Sequence, residues 1–253
     1  MQTQNMMQEV YTTEDLSHEQ AIAELNRVKS EFASFVYSVS HDFQAPLRTM
    51  INFPQLLLER YQNEWDEKTS RYMRYIVDGS LEMKEMMDGL LLYSRLNTHI
   101  KPQLPIPLAQ IIERACVALK PVIEKLSASL SIGPTSQWVY GDAERLQQVM
   151  ICLIDNALKF QHEGTKPVVE INVSSLKDNI CQVSVKDNGI GISETHQLEV
   201  FSIFRRLNKA RQYPGIGIGL ALVKKILDKH GQPIWIQSQL GSGSTFFFTL
   251  KSV

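Results

Sequence analysis

The chain has 253 residues, 43% hydrophobic and 21% charged, which is enough for one large globular domain or two modest ones. A net charge of −1 and a pI of about 6.6 give no basic footprint for nucleic acid, and no apolar run reaches the roughly 18–20 residues of a membrane span. The polar N-terminus lacks the apolar core of a signal peptide, and the widely spaced Cys116, Cys152 and Cys181 read as reduced core thiols, so a soluble cytoplasmic protein is expected.

Residues 1–16 read as a linker or frayed lead-in. Leu25, Val28, Phe32, Phe35 and Val39 then recur at steps of 3, 4, 3 and 4, the seam of a coiled coil or helix bundle. The following steps, Val39 to Phe43 and Phe43 to Leu47, are both 4, a stutter that locally unwinds a supercoil. Pro46 removes a helix hydrogen bond and is expected to bend the rod, so both irregularities flank His41. After a polar break at Gln62, Asn63 and Glu64, a second helix is predicted from about Asp66 to Leu96, with Met73, Ile76, Met83, Met87 and Leu90 on one face. One such hairpin buries its stripe poorly alone, whereas two make a four-helix bundle, so a homodimer is expected. The proline-rich Lys101–Pro107 reads as a stiff hinge.

Beyond the hinge, helices are predicted at Leu108–Leu126, Asp142–Phe160 (with Asp142 as N-cap) and Gly219–His230, the last ended by Gly231. Strands are predicted at Ala128–Ile132, Trp138–Tyr140, Val168–Ser174, Ile180–Lys186, Ile234–Gln239 and Ser244–Leu250. Helices on one face of a mixed sheet make an α+β sandwich. The chain thus divides into a lead-in (1–16), a helical hairpin (17–100), a hinge (101–107) and a sandwich domain (108–253).

Several segments carry chemistry. In Ser40-His41-Asp42-Phe43-Gln44-Ala45-Pro46-Leu47-Arg48, the helical frame set by Leu25 to Val39 puts His41 outside the seam. A lone surface histidine is ordinarily only solvated, but an exposed imidazole beside a carboxylate is a competent nucleophile. Asp42 can accept one ring N–H and leave the other nitrogen free. In Leu153-Ile154-Asp155-Asn156-Ala157-Leu158-Lys159-Phe160, Asn156 and Lys159 share a helix face; an amide oxygen can ligate Mg²⁺ and an ammonium can meet phosphate. In Asp187-Asn188-Gly189-Ile190-Gly191-Ile192, directly after a strand, Gly189 and Gly191 let the backbone approach a planar ligand, and the Asp187 carboxylate can accept from an exocyclic amine. The same residues also make an ordinary turn. Gly215-Ile216-Gly217-Ile218-Gly219-Leu220-Ala221 opens a helix as an anion cradle, yet lacks the preceding parallel strand of a dinucleotide site and the Gly-Lys-Ser/Thr of a P-loop. Between these two glycine segments, Phe201 and Phe204 can anchor a lid running through Asn208 to Pro214, with Arg205 and Arg206 able to approach phosphates.

In this order, and with Gly241-Ser242-Gly243-Ser244-Thr245-Phe246 after them, the motifs resemble the histidine kinases of two-component signalling over about residues 18–251. The stretches SVSHDFQAPLR and FSIFRRLNKARQYPGIGIGLAL look most like the phytochrome-type branch. The resemblance implies a dimeric phosphoacceptor hairpin followed by an ATP-binding sandwich of the kind shared with Hsp90-type and MutL-type ATPases. It implies ATP and Mg²⁺ as cofactors. His41 would be the phosphoacceptor, Asp42 its acid/base partner, Asn156 the Mg²⁺ ligand and Lys159 a phosphate contact. Asp187 would read the adenine amine against a wall of Gly189 and Gly191. Arg205 and the loop of Gly215, Gly217, Gly219 and Leu220 would meet the phosphates, and Thr245 would lie near adenine. Partners would be a second copy, a response-regulator receiver domain whose aspartate takes the phosphate, and an upstream sensor domain or protein. Two positions depart from the family pattern. Cys152 stands where an Asn is usual, with ATP binding expected to survive. Ala45 stands where a Thr or Asn orients water, so weak phosphatase activity is expected. A non-catalytic scaffold is disfavoured by the intact His41, Asn156, Asp187 and lid glycines, and an Hsp90- or MutL-class ATPase clamp by the upstream hairpin.

Overall fold

The computed structural model describes residues 2–61, 64–96, 102–207, 213 and 215–253, with side chains from residue 18 onward. The chain divides into two compact units, Met1–Ile100 and Lys101–Val253.

The first unit is a helical hairpin of α1 (Gln2–Tyr61) and α2 (Glu67–Arg95). Residues 2–16, expected as a lead-in, are helical; they contain no proline or glycine to stop the helix. α1 also continues through Pro46 and Pro54. Pro46 removes the donor that would reach the Asp42 carbonyl, and Asp42 is an exposed residue, so water can serve that carbonyl. Asp66 caps α2, its carboxylate accepting from Thr69 N at 2.7 Å. Gln62 and Asn63 of the expected break lie outside the described residues.

The predicted seam does not close within the hairpin. Val36, Ser40, Leu47, Ile51 and Pro54 of α1 are buried, whereas Leu25, Phe32, Phe35, Phe43 and Met50 are exposed. On α2, Val77, Ser80 and Ser94 are buried, while Ile76 and Met83 of the predicted face are exposed. α1 therefore carries two stripes. The slimmer one packs on α2, and the phenylalanine stripe faces outward.

The second unit opens with β1 (Leu104–Pro107), α3 (Leu108–Leu126), β2 (Ser129–Ile132), β3 (Trp138–Gly141) and α4 (Ala143–Lys159). β4 (Val168–Ser175), β5 (Ile180–Asp187), α5 (Gly219–Lys229), β6 (Ile234–Ser238) and β7 (Ser244–Lys251) follow, with short 3-10 turns at Glu194–His196 and Glu199–Phe201. The expected hinge is corrected here. Leu104–Pro107 is a strand paired antiparallel with β3, Ile106 opposite Val139. Prolines are tolerated on such an edge, and Ile106 turns inward beside them. Lys101 of that segment lies outside the described residues.

The main sheet runs β2-β4-β5-β7-β6, with β2 parallel to β4 and the other pairs antiparallel. Cys181, Val183 and Val185 of β5 lie opposite Leu250, Phe248 and Phe246 of β7, all six buried. α4 buries Leu146, Val149, Met150, Leu153, Ile154, Ala157 and Leu158, the continuous stripe of a helix inside a core. Each large apolar side chain so buried is worth roughly 1.5–3 kcal/mol. Asp142 caps α4 as expected, accepting from Glu144 N at 3.0 Å and Arg145 N at 3.3 Å. The rigid helix and sheet thus fix the ends from which the functional side chains project.

Candidate functional site

Two places hold the residues singled out by the sequence. In the hairpin, Ser40 is fully buried, and a helix turns about 100° per residue, so His41 flanks the packed stripe and stands in solvent. The His41 side chain is 71% exposed, and its Nδ1 lies 3.3 Å from Asp42 Oδ1. With Asp42 addressing Nδ1, the other nitrogen, Nε2, is directed to solvent chemistry. The Ser40 hydroxyl is buried without a hydrogen-bond partner.

In the second unit, a cavity of about 250 Å³ opens between the last turn of α4, the end of β5, the start of α5 and β7. Asn156 and Lys159 reach it from α4, joined by Asp155 and Phe160. Burial pushes the Asp155 carboxyl up, opposed by the charge of Lys159. Lys159 Nζ lies 4.8 Å from the Phe160 ring centroid.

Asp187 enters from β5. Gly189 N donates to its Oδ1 at 2.8 Å and Ser244 N to the same oxygen at 3.1 Å, so neither bond engages Oδ2. Burial pushes the Asp187 carboxyl up, and these two N–H groups partly offset it. Gly191, with φ of +67°, lets the backbone pass against the Gln239 carbonyl, where a Cβ would collide. Gly189 does not line the cavity: it packs behind the wall, against the Phe160 carbonyl. Asn188 staples the same loop to its neighbour, accepting from Val168 N at 2.8 Å and donating to Lys166 O at 3.1 Å.

Gly215, Gly217, Gly219 and Leu220 form the opposite lip. α5 starts there with no side-chain cap, so its first N–H groups form a positive end suited to an anion. Arg205 lines the cavity, but Glu199 Oε2 accepts from its Nε at 3.0 Å, and Arg206 stands beside it donating to Tyr213 O at 3.2 Å. Of the expected lid, residues 208–212 and 214 lie outside the described residues. Thr245 does not face the cavity: in β7 the inward positions are Ser244 and Phe246, and Thr245 points the other way. Cys152, one turn before Asn156, is not among the lining residues, and burial with the Asp155 charge nearby pushes its thiol up to about 12.

Tyr213 and Ser244 are two polar lining residues that the sequence alone does not assign to the site. Tyr213 was visible as an aromatic inside a polar loop. Ser244 could not be phased, because Phe246, Phe247 and Phe248 in succession erase the strand's alternation. No cluster of three His, Cys, Asp or Glu suited to a metal occurs among the described residues. A metal here would have one or two protein oxygens, Asn156 first. That fits Mg²⁺, which keeps its waters and takes the rest of its shell from substrate phosphates.

Residues 141–253 match the family described as histidine kinase-, DNA gyrase B-, and HSP90-like ATPase. The chain is 35% identical over 227 residues to cyanobacterial phytochrome A of Nostoc sp., covering 90% of this chain and 29% of that protein. It is 33% identical over 226 residues to the phytochrome-like protein Cph1 of Synechocystis sp., covering 89% and 30%. It therefore spans less than a third of the length of these relatives. Among solved structures, full-length ShkA in complex with AMPPNP is similar in fold, with a TM-score of 0.63 at 20% identity over 87% of this chain and 46% of that one. ThkA in complex with response regulator protein TrrA gives 0.62 at 21% identity over 91% and 66%. Residues 141–253 therefore carry a histidine kinase-, DNA gyrase B-, and HSP90-like ATPase domain, and over about nine-tenths of its length the chain is similar to part of the phytochrome-type sensor histidine kinases.

Proposed function

We propose that the cavity of the second unit binds ATP with Mg²⁺ and that its γ-phosphate is transferred to His41, then to an aspartate of a receiver domain. The observation that carries this reading is the cavity itself. A carboxylate with a disengaged oxygen, Asp187, stands on one side, and the uncapped start of α5 with Lys159 on the other. One end suits an aminopurine and the other a polyphosphate.

In this reading Asp187 Oδ2 accepts from the adenine amine while the backbone at Gly191 walls the base. Lys159, Arg206 and the Gly215–Gly219 loop meet the phosphates, and Arg205 joins them on leaving Glu199. Mg²⁺, held by Asn156, would neutralise phosphate charge as the terminal group departs. Nε2 of His41 attacks the γ-phosphorus in line. The N–P bond forms as the P–O bond to ADP breaks, and Asp42 takes the Nδ1 proton so that the ring ends neutral. The phosphoramidate then passes its phosphoryl group to the receiver carboxylate, a role supported by the ThkA–TrrA complex. The exposed phenylalanine stripe of α1 supports a homodimer, with input from an upstream sensor domain or protein acting along that helix. No described helix is long and apolar enough to cross a membrane. Ala45 offers no polar group to orient water, so dephosphorylation of a phosphorylated receiver without ADP should be slow.

Incubation with γ-labelled ATP and Mg²⁺ tests the reading. Acid-labile, base-stable label on the protein supports the kinase. ATP binding without label would support a scaffold, and phosphate release without label an ATPase clamp. Either of those results would overturn the proposal.

A further inference from the structure

The end of α4 is a junction between both walls of the cavity. Phe160 O accepts from Ile190 N at 3.0 Å, which ties in the loop after Asp187. One residue on, Gln161 O accepts from the Tyr213 hydroxyl at 2.8 Å, a bond spanning 52 residues of sequence. The Tyr213 ring is only 8% exposed and sits 5.2 Å from the Phe160 ring, centroid to centroid, tilted by 44°. Two residues further along, Gly215 passes so close to Lys159 that a Cβ there would stand 2.6 Å from Nζ. Tyr213 is thus the fixed point immediately before the glycine loop, and the loop meets the cation expected to face phosphate.

We propose that Tyr213 is a positioning residue of the cavity: its hydroxyl on Gln161 and its ring on Phe160 hold the Gly215–Gly219 loop against Lys159, on the phosphate side. The proposal rests on the ATP reading above. Tyr213 reaches no reacting atom; it sets where the loop's N–H groups and Lys159 lie before ligand arrives. Asp187 is held separately, by Gly189 N and Ser244 N, so the adenine side does not depend on Tyr213. Without the phenol, the loop must be ordered on binding, and that ordering entropy falls on the phosphates alone.

The test compares ATP with adenosine, which lacks phosphates, as competitors of a fluorescent ATP analogue on the full chain. Tyr213→Ala is expected to weaken ATP by about tenfold or more, the loss of a buried hydrogen bond and a ring contact, with adenosine unchanged. Tyr213→Phe keeps the ring and is expected to weaken ATP by only about threefold, again sparing adenosine. Equal weakening of both ligands would mean a merely structural role, and unchanged ATP affinity would mean none; either overturns the proposal. If Tyr213→Ala fails to fold, Tyr213→Phe decides by the same criteria. Failure of the unmodified protein to bind ATP at all would instead sink the nucleotide reading.

Discussion

Asp187 concentrates the chemistry of the base end. Its carboxyl is raised by burial and only partly relieved by two N–H donors on one oxygen, so it is poised to accept from a ligand donor. An adenine amine needs the ionised form. ATP affinity should therefore be full above the raised pKa and fall as pH drops through it, and Asp187→Asn should lack this acid limb. The same raised value means that ionisation of Asp187 opposes folding, so its contribution to stability declines as pH rises through that pKa. Titration calorimetry of Asp187→Asn should give roughly a 10- to 100-fold loss of ATP affinity, as expected for a hydrogen bond to a charged group. Wild-type affinity in that variant, or an unchanged acid limb, would remove Asp187 from the site. At this scale the sequence was legible where a residue type is chemically singular: Asn156, Asp187, Gly191, Gly215, Gly217 and Gly219 all line the cavity. It was not legible where the choice depended on which way a side chain points, as with Ser244 against Thr245, or on a partner distant in sequence, as with Glu199 holding Arg205.

Among the elements, α4 matters most, because its core-facing stripe fixes the helix while its last turn presents Asn156 and Lys159. Its start is held by the Asp142 cap and by His230 Nε2, which accepts from Asp142 N at 3.1 Å. Asp142→Ala should cost about 1 kcal/mol, which lowers the melting temperature of this unit by roughly 2–4 °C. ATP affinity should be little changed, since the cap lies at the far end of the helix. A thermal melt with no shift would mean the cap carries no stability. α4 was readable from its apolar period and N-cap, and α3 and β5 from their apolar periods alone. The segment Lys101–Pro107 misled because prolines signal stiffness without saying whether a neighbour will pair with them; β3 does. The predicted seam of α1 is left largely exposed, as expected of a stripe that one hairpin buries poorly alone. Two apolar stripes share that helix, and periodicity alone does not say which one the hairpin buries.

For the whole molecule, the hairpin leaves Phe32, Phe35, Phe43 and other large apolar side chains in solvent. A stripe of this kind marks an interaction surface, and in the proposed homodimer a second copy would supply its complement as a four-helix bundle. Phe35→Glu should shift the protein toward monomer in sedimentation, by placing a charge where the partner's apolar stripe would lie. An unchanged dimer, or a wild-type protein that is already monomeric, would count against that interface. The proposed phosphoryl acceptor, His41, and the proposed nucleotide cavity belong to different units of the chain, so the proposed function requires chemistry passing from one to the other.

That passage is read most directly by following γ-labelled ATP into three proteins: the unmodified chain, His41→Gln and Asp187→Asn. Acid-labile label is expected in the unmodified chain, none in His41→Gln, and at ATP concentrations near the unmodified chain's dissociation constant a strongly reduced level in Asp187→Asn. His41→Gln should still bind ATP with undiminished affinity, because His41 is no part of the cavity lining, whereas Asp187→Asn should lose binding and label in proportion. Label persisting at the wild-type level in His41→Gln would contradict phosphorylation of that histidine from the cavity.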